Sequence, residues 1–290
     1  MTAANVFSIQ TEIAKAIASA LRATLSSDEE RRIDYAPTQS LAAMDSYFLG
    51  KQLLEERNRD SLLAALAYFQ KVIELDPEYA LAHSGLADAY MLLPEYPPTI
   101  DIREAIERSE EAAERALEVD PNSTLMAMNL SYIRTDAGLF DESIAGTVAA
   151  GKKDPNYPEL PGNLWLTYMR AGRPLDAVNS IVTWARATGR SAEDAREISG
   201  AFVQYATTGQ RQDLDSATLS RMEFGLEDLA QVYAFVGDRE RTLAALEDGY
   251  EQRAGSRSVL SMKINPGYDF IRSDPRFIEL EMLSGLRDRF

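Results

Sequence analysis

One pattern recurs along this chain and constrains its fold more than any other feature. A first helix carries Leu, a small residue and then an aromatic, and a second helix carries small residues and stops at Asp-Pro. One copy reads Leu130, Ser131 and Arg134, then Ser143, Thr147, Ala150 and Asp154-Pro155; the copy before it reads His83, Leu86-Ala87 and Tyr90, then Ala113, Ala116 and Asp120-Pro121. Pro121 and Pro155 lie 34 positions apart, as do Leu130 and Leu164. An earlier copy, Leu49-Gly50, Leu53, Ala65, Phe69, Val72 and Asp76-Pro77, has its turn lengthened around Arg57 to Ser61, and later ones read Leu164-Trp165, Tyr168, Ala177, Ile181 and Leu226, Leu229-Ala230, Tyr233, Gly237-Asp238, Leu246. The small residue after Leu lets paired helices approach closely, and Pro stops one helix or opens the next. A single helix pair cannot bury its apolar face alone, so neighbouring pairs must stack.

A 34-residue helix-turn-helix period is that of tetratricopeptide repeats, which the chain resembles. The expected fold is all-α, a tetratricopeptide-type helical-hairpin solenoid. Residues 1–40 are expected to form a helical lead-in, 41–256 the repeat array with about four recognisable repeats and a degenerate one near 191–222, and 257–290 a C-terminal capping segment. In the lead-in, Val6, Ile9, Ile13, Ile17, Leu21 and Leu25 recur at helical steps, and Ser27 with Glu30 reads as a capping box. Ile198, Phe202 and Tyr205 give the degenerate stretch helical periodicity, while Asp274, Pro275, Phe277, Leu280 and Leu283 predict a final capped helix. Pro94, Pro97 and Pro98 force an insertion between Met91 and Ile102 out of the stack as a loop.

Beyond the repeats, the segments Val6 to Ala14, Tyr47 to Lys51, Tyr68 to Pro77, Asn265-Pro266 and Ile271 to Phe277 resemble the C-terminal repeat tails of bacterial multidomain signalling and transcriptional regulators. In those families such a tail follows a winged-helix, adenylate cyclase or kinase domain. The resemblance implies a sensory or scaffolding tail, either excised or free-standing. It implies no activity of the head domain, whose motifs this chain lacks. A complete chain of this kind is expected in the cytoplasm, and the tail of a membrane-tethered regulator in the periplasm.

The net charge of -16 opposes nucleic acid and anionic membrane surfaces, because Arg31-Arg32 and Lys152-Lys153 are isolated pairs and no basic cluster exists. A basic or apolar peptide is the partner that such a charge favours. The first helix of each pair in a curved stack lines its concave face. The positions expected there are Met44, Tyr47, Lys51 and Leu54, then Leu81, Asp88 and Met91, then Leu125, Met128, Tyr132 and Asp136, and finally Leu166, Met169 and Arg170. Methionines suit a surface that accepts several shapes, although such a stripe serves equally to pack a neighbouring helix. Asn129 and Asn163 stand one residue before the packing Leu of consecutive repeats. There they either form a ladder toward a peptide backbone or serve a local role on the helix.

Catalytic signatures are missing. The chain has no cysteine, which excludes disulfides and thiolate sites, and one histidine, His83, in a position that suits packing better than chemistry. Gly151-Lys152-Lys153 lacks the rest of a phosphate loop. The expectation is therefore a non-catalytic protein- or peptide-binding module with no cofactor and no metal. The alternatives are a self-associating adaptor that docks through its N-terminal helix and, on fold analogy alone, an enzyme such as a transferase.

Overall fold

A computed structural model of the chain describes residues 12, 13, 15–20, 38–96, 99–187, 192–208, 230, 231, 233, 234, 237–251, 262 and 266–283. Among these residues every regular element is helical, as the sequence predicts. In chain order they are α1 (Leu41–Glu55), α2 (Arg59–Leu75), α3 (Ala80–Leu92), a 3-10 turn (Leu93–Glu95), α4 (Ile102–Val119), α5 (Thr124–Asp136) and α6 (Phe140–Lys153). They continue with α7 (Leu160–Arg170), α8 (Pro174–Ala187), α9 (Ala192–Thr208), α10 (Arg239–Glu251), a 3-10 turn (Pro266–Ile271) and α11 (Pro275–Leu283). Helix α1 packs on α2, and from α5 to α9 each helix packs on the next in sequence, with α5 also touching α7. The chain divides into two compact units, Met1–Ala89 with Glu111–Asp120, and Tyr90–Glu110 with Pro121–Phe290.

In the first unit α1 begins at Leu41, where the array is expected to start, whereas α2 begins at Arg59, inside the stretch read from the sequence as a turn. Ser40 caps α1 by accepting from the Ala43 N–H at 3.2 Å. Asn58 and Ser61 form a reciprocal capping box at the start of α2, which satisfies two N–H groups that a helix start otherwise leaves open. The core centres on Phe69, whose fully buried ring lies between Gly50 of α1 and Gly85 of α3. A Cβ at Gly50 would stand 2.9 Å from the ring, and one at Gly85 2.5 Å from it. Ala43, Val72, Tyr79 and Ala82 extend this core. Helix α2 ends at Asp76, whose carboxylate accepts from the Thr38 hydroxyl and the Glu78 N–H.

In the second unit one turn recurs. Gly138, Gly172 and Gly237 adopt φ of 79°, 69° and 68°, the left-handed conformation that a side chain disfavours. The residue after each glycine donates its N–H back along the helix, Leu139 to the Arg134 carbonyl (2.8 Å), Arg173 to Tyr168 (2.8 Å) and Asp238 to Tyr233 (2.9 Å). This is the closure of a Schellman motif, and Gly138 and Gly172 stand 34 positions apart. The seam tyrosines carry a second recurring device. Arg108, Arg173 and Arg241 lay their guanidinium groups over Tyr90, Tyr168 and Tyr233, at 5.6, 5.2 and 5.7 Å from the ring centres. Where the repeat has Arg134 in place of tyrosine, its guanidinium donates to Glu110 at 3.0 Å instead.

The loop between Met91 and Ile102 leaves α3 through the 3-10 turn and is tied at its base, where the Thr99 hydroxyl donates to the Leu93 carbonyl at 2.6 Å. Pro97 and Pro98 lie outside the described residues. Asp274 caps α11, accepting from the Arg276 N–H at 2.9 Å and from the Arg239 guanidinium, while the Arg276 side chain bridges Glu247 and Glu240 of α10. Phe277 and Leu280 are buried, whereas Leu283, expected in the same stripe, is exposed. Of the lead-in stripe, Ile13 and Ile17 are exposed, and Val6, Ile9, Leu21, Leu25, Ser27 and Glu30 lie outside the described residues. So do residues 209–229 and the side chains of Ile198, Phe202 and Tyr205 on α9. Among the described residues no helix is long and apolar enough to cross a membrane.

Gly85→Ala should destabilise the protein by about 1–3 kcal/mol in denaturant unfolding, since Phe69 cannot retreat without striking Gly50. Gly172→Ala, where nothing lies within 4 Å, should cost only the backbone strain of about 1–2 kcal/mol. At the other end of the chain, hydrogen bonds from Arg276 and Arg239 hold the Glu247 and Asp274 carboxyls below their ordinary values of 4.5 and 3.8. Their contribution to the docking of α11 is thus complete above that range and lost as the pH falls below it. The protection factors of residues 275–283, referred to the slower intrinsic exchange in acid, should fall on acidification below pH 4, and less so in Glu247→Gln.

Candidate functional site

The residues that sequence reasoning assigned to a binding face divide sharply by burial. In the first unit Met44 and Leu54 are buried, while Tyr47, Lys51, Leu81 and Asp88 keep part of their surface in solvent. Tyr47 packs against Phe69 and Tyr79, with ring centres 6.0 and 5.2 Å away, and meets Phe48 edge to face at 5.7 Å. Burial first, and then the Asp88 carboxylate, push its phenol up to about 12. Leu81 covers the cluster of Ala43, Val72, Tyr79 and Ala82. The partly open surface here is therefore an aromatic edge to which Lys51 of α1 and Asp88 of α3 add charge. His83 is buried, and its Nε2–H donates to the Pro77 carbonyl at 2.9 Å.

In the second unit packing claims more of the expected face. Met91, Met128, Met169, Asn163, Asp136 and Arg170 are all buried. Met128 sits in a core with Ala150 and Leu160, flanked by Tyr132 and Tyr157. What α5 and α7 leave in solvent is Leu125, 44% exposed, together with partly exposed Asn129, Tyr132 and Leu166. Leu125, Asn129 and Tyr132 follow each other at steps of four and three and so share one side of α5. Leu166 is the repeat equivalent of Tyr132 on the adjoining helix, 34 positions on.

The asparagine ladder does not form at the surface, because Asn163 points into a polar seam between α5, α6 and α7. The Thr147 hydroxyl donates to Asn163 Oδ1 at 2.7 Å. Thr135 Oγ1 lies 2.7 Å from both Ser143 Oγ and Thr167 Oγ1. The Ser143 hydroxyl donates to the Ser131 carbonyl (2.7 Å) and that of Thr167 to the Asn163 carbonyl (2.8 Å). Asn163 Nδ2 is left without a hydrogen-bond partner although the residue is fully buried. Sequence reasoning passed over this seam because Ser131, Ser143 and Thr147 read simply as small residues. The signal was their hydroxyls at helical spacing on facing helices, which demand partners once buried.

Arg170 is a second correction. Expected to point a positive charge into a groove, it is 4% exposed, with Nη1 donating to Asp136 and Nε donating to Gln231 Oε1 at 2.8 Å. The Asp136 carboxylate and the Gln231 amide oxygen are internal acceptors that water would otherwise supply, which is why the guanidinium is stable inside.

Chemically, these surfaces offer apolar and aromatic contact with a few amide and hydroxyl groups. Among the described residues no three His, Cys, Asp or Glu side chains are grouped so as to hold a metal ion. The raised Tyr47 phenol gives a direct check on the first unit. A group whose folded value lies above its unfolded value of 10.0 contributes stability below that value and loses it as the pH rises toward 12. The alkaline absorbance titration of the protein minus that of Tyr47→Phe should show one phenol ionising near pH 12; a difference centred near 10 would mean that the ring is not shielded. Compared with known proteins, the chain matches no protein-family model and no curated protein.

Proposed function

We propose that the chain is a non-catalytic, tetratricopeptide-type repeat module that holds an extended peptide segment of a partner protein, serving as the sensory or scaffolding part of a signalling assembly. The observation that carries this reading is the side of α5 and α7 on which Leu125, Asn129, Tyr132 and Leu166 remain accessible while their helical neighbours are buried. Apolar side chains on such a face fill pockets for alternate residues of a peptide, and an amide can serve its backbone as both donor and acceptor. The recurrent Gly138 and Gly172 turns and the packing of each helix from α5 to α9 on its successor support the repeat assignment. The net charge of -16 favours a partner segment that is basic as well as apolar.

The test uses an arrayed set of short peptides, apolar-basic against apolar-acidic, read by fluorescence anisotropy. The protein should prefer the apolar-basic set. Leu125→Asp and Leu166→Asp should each weaken binding about 10-fold or more, an effect of roughly 1.4 kcal/mol. Val148→Asp, on an exposed position of α6, should not. Equal binding by all three variants would remove this face from the function, and failure of the unaltered protein to prefer either set would remove the peptide-binding reading itself.

A further inference from the structure

The pairing of Asp136, Arg170 and Gln231 has no part in the binding face, since all three are buried. Asp136 closes α5, Arg170 closes α7, and the two occupy the same repeat position 34 residues apart with opposite charge. Gln231 comes from a helical stretch 61 residues beyond Arg170. The ion pair has side-chain exposures of only 2% and 8%, so both charges have lost nearly all their water. Desolvation of such a pair roughly cancels its attraction, and buried pairs often contribute little net stability compared with apolar groups of similar volume.

What the pair does supply is discrimination. The hairpins of this unit close with the same turn, at Gly138, Gly172 and Gly237, and place Leu130, Leu164 and Leu229 at the same repeat position. Apolar faces built to one pattern are poor at telling neighbours apart, so a stack of them can slip by one repeat or accept a hairpin from another copy. An arginine that finds a carboxylate and an amide oxygen in one arrangement only makes the slipped arrangements expensive, because each would bury an unpaired charge.

We propose that Asp136–Arg170–Gln231 is a register lock: it selects which hairpin neighbours which and where the Gln231-bearing stretch docks, rather than raising stability. Three proteins test it, the unaltered chain, the single variant Asp136→Leu and the triple variant Asp136→Leu/Arg170→Met/Gln231→Leu. The single variant strands the arginine and should melt about 10 °C lower or fail to fold. The triple variant should melt within a few degrees of the unaltered chain or above it, yet lose slow hydrogen exchange over residues 230–234 and populate dimers in sedimentation. A triple variant that melts as low as the single one, or does not fold, would show that the pair is simply stabilising. A triple variant that keeps both its exchange protection and the sedimentation profile of the unaltered chain would show that apolar packing alone sets the register. Either result overturns the proposal.

Discussion

A helical hairpin always has a face that its own two helices cannot cover, and the rest of this structure follows from how that face is buried. From α5 to α9 each helix lies against its successor, so that what one pair leaves uncovered is covered by the next. The arrangement depends on the angle at which a hairpin closes. The left-handed glycines at 138, 172 and 237 set that angle, because the N–H that follows each of them returns to the carbonyl five residues earlier. The arginines stacked on Tyr168 and Tyr233 then shield the outer ends of the seam with a flat, charged group that stays half in water.

Much of this was legible beforehand. The Asp-Pro breaks, the start at Leu41, the cap at Asp274 and the seam position of His83 rest on local rules that tertiary packing did not override. The glycine turns carried the same 34-residue spacing as the prolines but are less conspicuous, since glycine is common and its sign of φ is invisible in a sequence. The binding face was read with less success for a geometric reason. Helical periodicity tells which residues share a side of α5 or α7, but not how closely a neighbouring helix approaches that side. Met128 and Met169 therefore looked like groove residues when they fill space between helices. Asn163 and Arg170 were misplaced by a different habit, the assumption that polar groups face water. Here the partners that water would provide are Thr147 for one, and Asp136 and Gln231 for the other.

The interior of the second unit is consequently of two kinds. Leu160, Met128 and Ala150 meet as an apolar cluster, whereas Ser131, Thr135, Ser143, Thr147, Asn163 and Thr167 meet as a hydroxyl and amide seam. The first unit solves the same close approach differently, with a phenyl ring held between two glycines. Hydroxyl contacts are directional and a ring between glycines is steric, so the two solutions are not interchangeable. Hairpins thus carry distinct identities despite their common outline, and a residue left largely to solvent, such as Leu125, is one that neither solution requires.

The reach of the Arg170–Gln231 bond also has a bearing on the order of assembly. Most contacts that define a hairpin join residues close in sequence, and the turn bonds span five residues. Such contacts form at small entropic cost and can appear independently in each hairpin. A bond across 61 residues closes a far larger loop, and its acceptor is of use to Arg170 only after α5 has brought Asp136 alongside. The guanidinium is therefore best kept in water until α5 and α7 have met, and its entry, carrying the last of its hydration away, belongs to the late, cooperative end of folding rather than to its nucleation.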